Sequence, residues 1–86
     1  MKVHVGSVLY EYTGGKAEVE ASGSTVAAVL DDLERRFPGL RFRVIDEQGR
    51  IRPHMRVFAR GAVVSDLRAR IGEKDELHVL GALSGG

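Results

Sequence analysis

Apolar and polar positions change period several times along this chain. Val3 and Val5 alternate with Lys2 and His4, and Val8-Leu9-Tyr10 carries the apolar run onward. This opening reads as a first strand, bent near Gly6-Ser7. Thr13-Gly14-Gly15 is a turn signal, because glycine reaches positive φ at no steric cost. Lys16 to Ala21 then alternates with period two, the signature of a strand with one wet face, and the two strands make a hairpin. Val26, Val29, Leu30, Leu33 and Phe37 fall at i, i+3, i+4, i+7 and i+11, which is one stripe of an amphipathic helix. Ser24 or Thr25 caps its first N–H groups, and Pro38-Gly39 ends it. Asp31 with Arg35 and Asp32 with Arg36 form i,i+4 pairs on its wet side.

The second half is less regular. Arg41-Phe42-Arg43-Val44 alternates and predicts a strand, followed by a turn at Asp46-Glu47-Gln48-Gly49 and an irregular Arg52-Pro53-His54. Arg56 to Ala59 and Ala62 to Val64 predict two short strands joined at Arg60-Gly61. Ser65-Asp66 is placed to cap a single helical turn holding Leu67 and Ile71. Glu73 to Glu76 is a polar turn, and Leu77 to Leu80 is the last strand. One helix and one sheet must bury their apolar sides against each other, since neither can do so alone. The two ends of the chain then meet as central parallel strands, with the helix as a right-handed crossover. The expected fold is α+β: a β-grasp, with a mixed sheet of four to five strands and one main helix across it. Residues 1–80 make this domain, and 81–86 form a tail with little reason to fold.

Composition narrows the possible functions. A chain of 86 residues builds one modest core, with no room for a deep enclosed active site as well. It has no cysteine, which excludes disulfides, cysteine-rich zinc sites and a nucleophilic thiol, and leans towards the cytoplasm. No apolar run approaches the ~20 residues of a membrane span, and no signal peptide is visible. His4, His54 and His78 lie far apart, in no metal-ligand spacing, and read as isolated surface or strand residues. There is no nucleophile–base pair and no phosphate loop, so the chain does not read as an enzyme acting alone.

Net charge is +1, but its distribution is uneven. Residues 35–60 hold eight arginines against Asp46 and Glu47, whereas residues 1–34 hold two lysines against six acids. The Arg-rich zone reads first as a solvated basic face, second as a surface for an acidic partner, and last as a nucleic-acid site. Phe42 and Phe58, inside that zone, read as strand core rather than as base-stacking aromatics.

Four features in order resemble the ubiquitin-like sulfur carriers, a family that includes the small subunit of molybdopterin synthase, the thiazole-forming carrier and a cysteine-pathway carrier. They are the turn Thr13-Gly14-Gly15, the helix opening Ser24-Thr25-Val26 with Leu30 and Leu33, the Asp75-Glu76-Leu77 entry to the last strand, and Ala82-Leu83-Ser84-Gly85-Gly86. Each is weak alone. At average glycine usage of ~7%, a terminal Gly-Gly arises by chance roughly once in 200 chains. The order of the four features over all 86 residues is far more specific. Three positions depart from the family pattern. Arg60-Gly61 stands where Asn-Gly is frequent, and arginine takes positive φ less readily than asparagine. Lys74 replaces a glycine, and Gly81 replaces a proline, which should loosen the root of the tail.

The resemblance implies a mechanism. An adenylating enzyme uses ATP and Mg²⁺ to activate the carboxylate of Gly86, and a sulfur source converts it to a thiocarboxylate that a sulfur-accepting synthase consumes. No cofactor is bound by the carrier itself. Gly85 gives the tail access to a narrow channel, because glycine lacks Cβ. Leu83 serves as an anchor just outside that channel, and Ser84 shares in the tail's access. By position in the family, Leu80, Ala62 and Val63 form an apolar docking patch, although Val63 and Leu80 also suit a core. Two rival functions are a protein modifier conjugated through Gly86 and a non-covalent interaction module.

Overall fold

The computed structural model describes residues 1–81. The chain forms β1 (Lys2–Val5), a 3₁₀ turn (Ser7–Leu9), α1 (Tyr10–Thr13), β2 (Glu18–Glu20), α2 (Val26–Arg36), α3 (Leu40–Val44), β3 (Met55–Ala59), β4 (Ala62–Val63) and β5 (Leu77–Gly81). The strands form one five-stranded sheet in the order β2-β1-β5-β3-β4. β1 and β5 run parallel at its middle, with Val3 beside Leu77 and Val5 beside Val79, and the other pairs are antiparallel. This is the expected β-grasp topology, with the hairpin on one side and α2 across one face.

Alternation decides which face is buried. Val3, Val5, Val19, Met55, Val57, Ala59, Leu77 and Val79 point one way and are buried. Val26, Val29, Leu30 and Leu33 of α2 cover them, each with no exposed surface. Fully burying one such side chain contributes about 1.5–3 kcal/mol. Thr25 is the cap, its Oγ1 accepting from the Ala28 N–H at 3.1 Å.

Four segments differ from the sequence expectation, each for a physical reason. Val8-Leu9-Tyr10 does not extend the first strand. The Gly6 N–H makes the last ladder bond, to the Val79 carbonyl, and the Leu9 N–H then turns back to the Gly6 carbonyl. Leu9 goes inward and Val8 outward, which a helical turn does as well as a strand. Gly14 and Gly15, at φ 68° and 85°, end α1 rather than link two strands directly.

Arg41 to Val44 is helix, not strand. Gly39 at φ 97° redirects the chain, and the Glu34 carboxylate accepts from the Gly39 and Arg41 N–H groups at 2.9 Å each. Leu40 and Val44, one turn apart, are then both buried. Ser65 to Ile71 makes only a turn, because its polar backbone serves α2 instead. The Ala69 and Leu67 carbonyls accept from the Val26 and Ala27 N–H groups, and the Ile71 N–H donates to the Ser24 carbonyl.

Asp32 is not on the wet side. It is buried and accepts from the Ser22 N–H at 2.9 Å, from Arg35 at 2.9 Å and from Arg36 at 3.0 Å. Asp31 pairs with Arg41 rather than with Arg35.

Arg60-Gly61 makes a tight two-residue turn with both residues at positive φ, 53° and 77°, the pattern of a primed hairpin turn. The Arg60 guanidinium donates to Asp75 at 2.6 Å, which holds the arginine in a conformation that costs it about 1–2 kcal/mol. Gly81, expected to begin the tail, belongs instead to β5. It pairs with Met55, and a Cβ added to it would come within 3.0 Å of a Val8 methyl.

Candidate functional site

The sheet face opposite α2 carries the other half of each alternation. Register aligns one row of residues across all five strands: Glu18, His4, His78, Phe58 and Val63. The row is acidic at the β2 edge, aromatic at the centre and apolar at the β4 edge. Leu80 lies on the same face one step further along β5, beside Arg56, at the end from which the chain leaves the sheet.

The residues predicted as a docking patch are not all brought together. Val63 is 59% exposed, and Leu80 is half-buried on the open face, so neither belongs to the core beneath α2. Phe58 stands between them on that face. Ala62 pairs with Ala59, whose side chain points to the core, so it projects from the opposite face to Val63. Sequence reasoning missed Val8, which is 37% exposed and packs on Gly81 at the exit of β5. Gly86, Gly85, Ser84 and Leu83 lie outside the described residues.

The histidines correct the expectation of isolation. His4 and His78 are stacked, with ring centroids 4.4 Å apart and planes inclined by 13°. Parallel pairing of the first and last strands makes them neighbours despite their separation in sequence. Glu76 is hydrogen-bonded to His4 Nε2, and the Glu18 carboxylate stands 3.6 Å from His4 Nδ1. The His4 bond holds the Glu76 carboxyl below its ordinary range, so it is ionised at neutral pH. His54 is elsewhere, beside Arg43.

The Arg-rich zone folds back on its own chain. Arg41 pairs with Asp31, Arg60 with Asp75, and Arg35 and Arg36 with Asp32. Arg56 donates to the Pro53 and Met55 carbonyls. Arg52 donates to the Phe42 carbonyl at 2.8 Å and lies over the Phe42 ring at 4.6 Å. Phe42 is therefore not core: it is 57% exposed and serves as a platform for a cation. Phe58 is half-buried on the open face, also outside the core. Among the described residues, no helix is long and apolar enough to cross a membrane.

Comparison with known proteins agrees with this architecture from end to end. The ThiS family model matches residues 3–86. The sulfur carrier protein CysO of Mycobacterium tuberculosis is 30% identical over 89 residues, covering 98% of this chain and 96% of its own length. A chain in the crystal structure of the Amycolatopsis orientalis BexX/CysO complex superposes with a TM-score of 0.90 at 32% identity, covering 99% of this chain and 98% of its own. The Haloferax volcanii small archaeal modifier protein 1 superposes at 0.76 with 27% identity, covering 96% and 97%. From the fold and this likeness together, the chain belongs to the ThiS family of ubiquitin-like sulfur carriers.

Proposed function

We propose that this protein is a sulfur carrier of the cysteine-forming type, loaded at the carboxylate of Gly86. The observation that carries the reading is a family match that runs through Gly85-Gly86, joined to the likeness to CysO over nearly the whole chain.

A carboxylate is a poor electrophile because its charge is delocalised and it has no good leaving group. In the proposed reaction a partner enzyme holds ATP and Mg²⁺. A Gly86 carboxylate oxygen attacks the α-phosphorus and pyrophosphate departs, leaving an acyl adenylate. A sulfur nucleophile then adds to the carbonyl carbon and AMP leaves. With hydrosulfide as the nucleophile the product is the thiocarboxylate itself. With a persulfide donor it is an acyl disulfide, whose S–S bond a second thiol cleaves, releasing the thiocarboxylate and forming a disulfide with the donor. A sulfur-accepting synthase then consumes the thiocarboxylate.

The carrier supplies position rather than catalytic groups. β5 is hydrogen-bonded on both sides, to β1 and to β3, so it gives a firm mount for whatever follows Gly81. The apolar end of the open face, Phe58, Val63 and Leu80, is the surface offered to a partner. Because the chain lacks cysteine, no internal thiol competes for the activated carbonyl.

Intact-mass measurement after incubation with an adenylating enzyme, ATP, Mg²⁺ and a sulfur source tests the proposal. The expected product carries one sulfur in place of one oxygen, and deleting Gly86 abolishes it. Failure to gain sulfur, or gain without Gly86, refutes it.

A second reading has support in the likeness to the Haloferax volcanii modifier protein. In it the amine of a lysine attacks the same adenylate and forms an isopeptide bond. Covalent adducts in lysate that vanish when Gly86 is deleted distinguish it from sulfur carriage.

A further inference from the structure

We propose that His4, His78 and Glu76 form a binding site for a borderline divalent transition metal of the zinc class, on the open face of the sheet. The carrier chemistry gives none of these three residues a role. One ligand atom from each lies within 4.8 Å of the others. Tetrahedral zinc with bonds of 2.0–2.2 Å needs ligand atoms about 3.3–3.5 Å apart. The gap closes by side-chain rotation alone, since the histidine χ2 torsion is broad and the stacked rings need only splay.

The surroundings match what a metal-binding histidine requires. Such a histidine commonly donates its other ring N–H to a carboxylate, which fixes the tautomer and raises the basicity of the ligating nitrogen. Glu18 stands near that position, its carboxylate 3.6 Å from His4 Nδ1 and just beyond hydrogen-bond reach, while Nε2 faces Glu76. A metal ion would take the place of the hydrogen bond between His4 and Glu76. The backbone frame is firm, because His4 and His78 are directly paired in the central parallel ladder. Access is open, with the His4 side chain 25% exposed and that of Glu76 52% exposed, so water completes the coordination. Two imidazoles and a single carboxylate select zinc, nickel or copper over magnesium or calcium, which prefer all-oxygen sets.

The test is zinc titration of the untagged full-length chain by calorimetry, with ¹⁵N imidazole spectra recorded in parallel. One equivalent of zinc is expected to bind. It should shift the ring nitrogens of His4 and His78, leave those of His54 in place, and resist competition by excess magnesium. His78→Gln and Glu76→Gln should each weaken binding at least about tenfold, while His54→Gln should leave it unchanged. Absence of saturable binding up to millimolar zinc overturns the proposal. Shifts centred on His54, or full displacement by magnesium, overturn it too. The imidazole spectra use the unaltered protein, so a variant that folds poorly does not blunt the test. Sulfur loading at Gly86 is a separate measurement, and either result stands without the other.

Discussion

Asp32 shows how one side chain ties a helix to the loop before it. Its carboxylate takes the Ser22 N–H before the helix and two arginines from the end of α2. The backbone bond from Ser22 is the largest reason that its pKa falls below the ordinary aspartate value, with Arg36 and Arg35 adding to it. A carboxyl group whose folded-state pKa is depressed stabilises the fold fully above its unfolded pKa of about 3.9, and this is lost as pH falls through the folded value. Denaturant midpoints measured against pH should therefore hold steady near neutrality and drop below about pH 4. Asp32→Asn should be less stable than the parent at pH 7, and the two should converge in acid. A constant difference at every pH would remove Asp32 from the acid response. The i,i+4 pairing of Asp32 with Arg36 is legible in the sequence, but its burial is not. Burial depends on the loop at Ser22, which shares no period with the helix.

Among the elements, α2 and α3 mark what pattern reading can and cannot reach. The α2 stripe spans three turns, long enough for a period near 3.6 to stand apart from a period of two. In α3 the apolar residues are Leu40, Phe42 and Val44. Over five residues, i and i+4 coincide in both patterns, so only the side chain in the middle separates them. Phe42 turns outward, and Arg52 covers it. What fixes this segment as helix is Glu34, which lies in the preceding helix and caps α3 from there. Glu34→Ala leaves two N–H groups without that acceptor and should cost roughly 0.5–2 kcal/mol, the range of helix-cap losses. Urea unfolding should show a lower midpoint with an unchanged slope. An unaltered midpoint would mean that water replaces the carboxylate without loss. The histidine pair is a different case. Alternation in β1 and β5 places each histidine on the open face, but their contact follows only from the parallel register of strands at opposite ends of the chain.

At the scale of the molecule the sheet has two separate duties. One face holds the core against α2, and the other presents Phe58, Val63 and Leu80 beside the exit of β5. If this face docks the proposed adenylating partner, Leu80→Asp should leave the melting temperature within a few degrees of the parent while weakening capture by that enzyme about 10- to 100-fold, the scale of a lost interface anchor. Surface plasmon resonance with such an enzyme measures this, and undiminished affinity would move the docking surface elsewhere. The overall topology and the family are legible in the sequence because hairpin, crossover helix and final strand each carry a distinct local signal. The shape of the docking face is less so. Whether Ala62 and Val63 share a side depends on the tight turn at Arg60-Gly61, where the register with β3 sends them to opposite faces.

The central pairing of β1 with β5 has a consequence for how the protein is made. Synthesis delivers Val3 long before its partner Leu77. Until then β1 has only β2 beside it, and a lone hairpin is marginal in water. Contacts this distant in sequence form only after a long loop closes, so the native sheet assembles only after Leu77–Gly81 has been made. A product of interrupted translation lacks the strand that holds the β1–β2 hairpin to the β3–β4 hairpin. It would lack the full open face and would be open to proteases. Any surface that spans β3 and β5 is thus complete only once Leu77–Gly81 has been made.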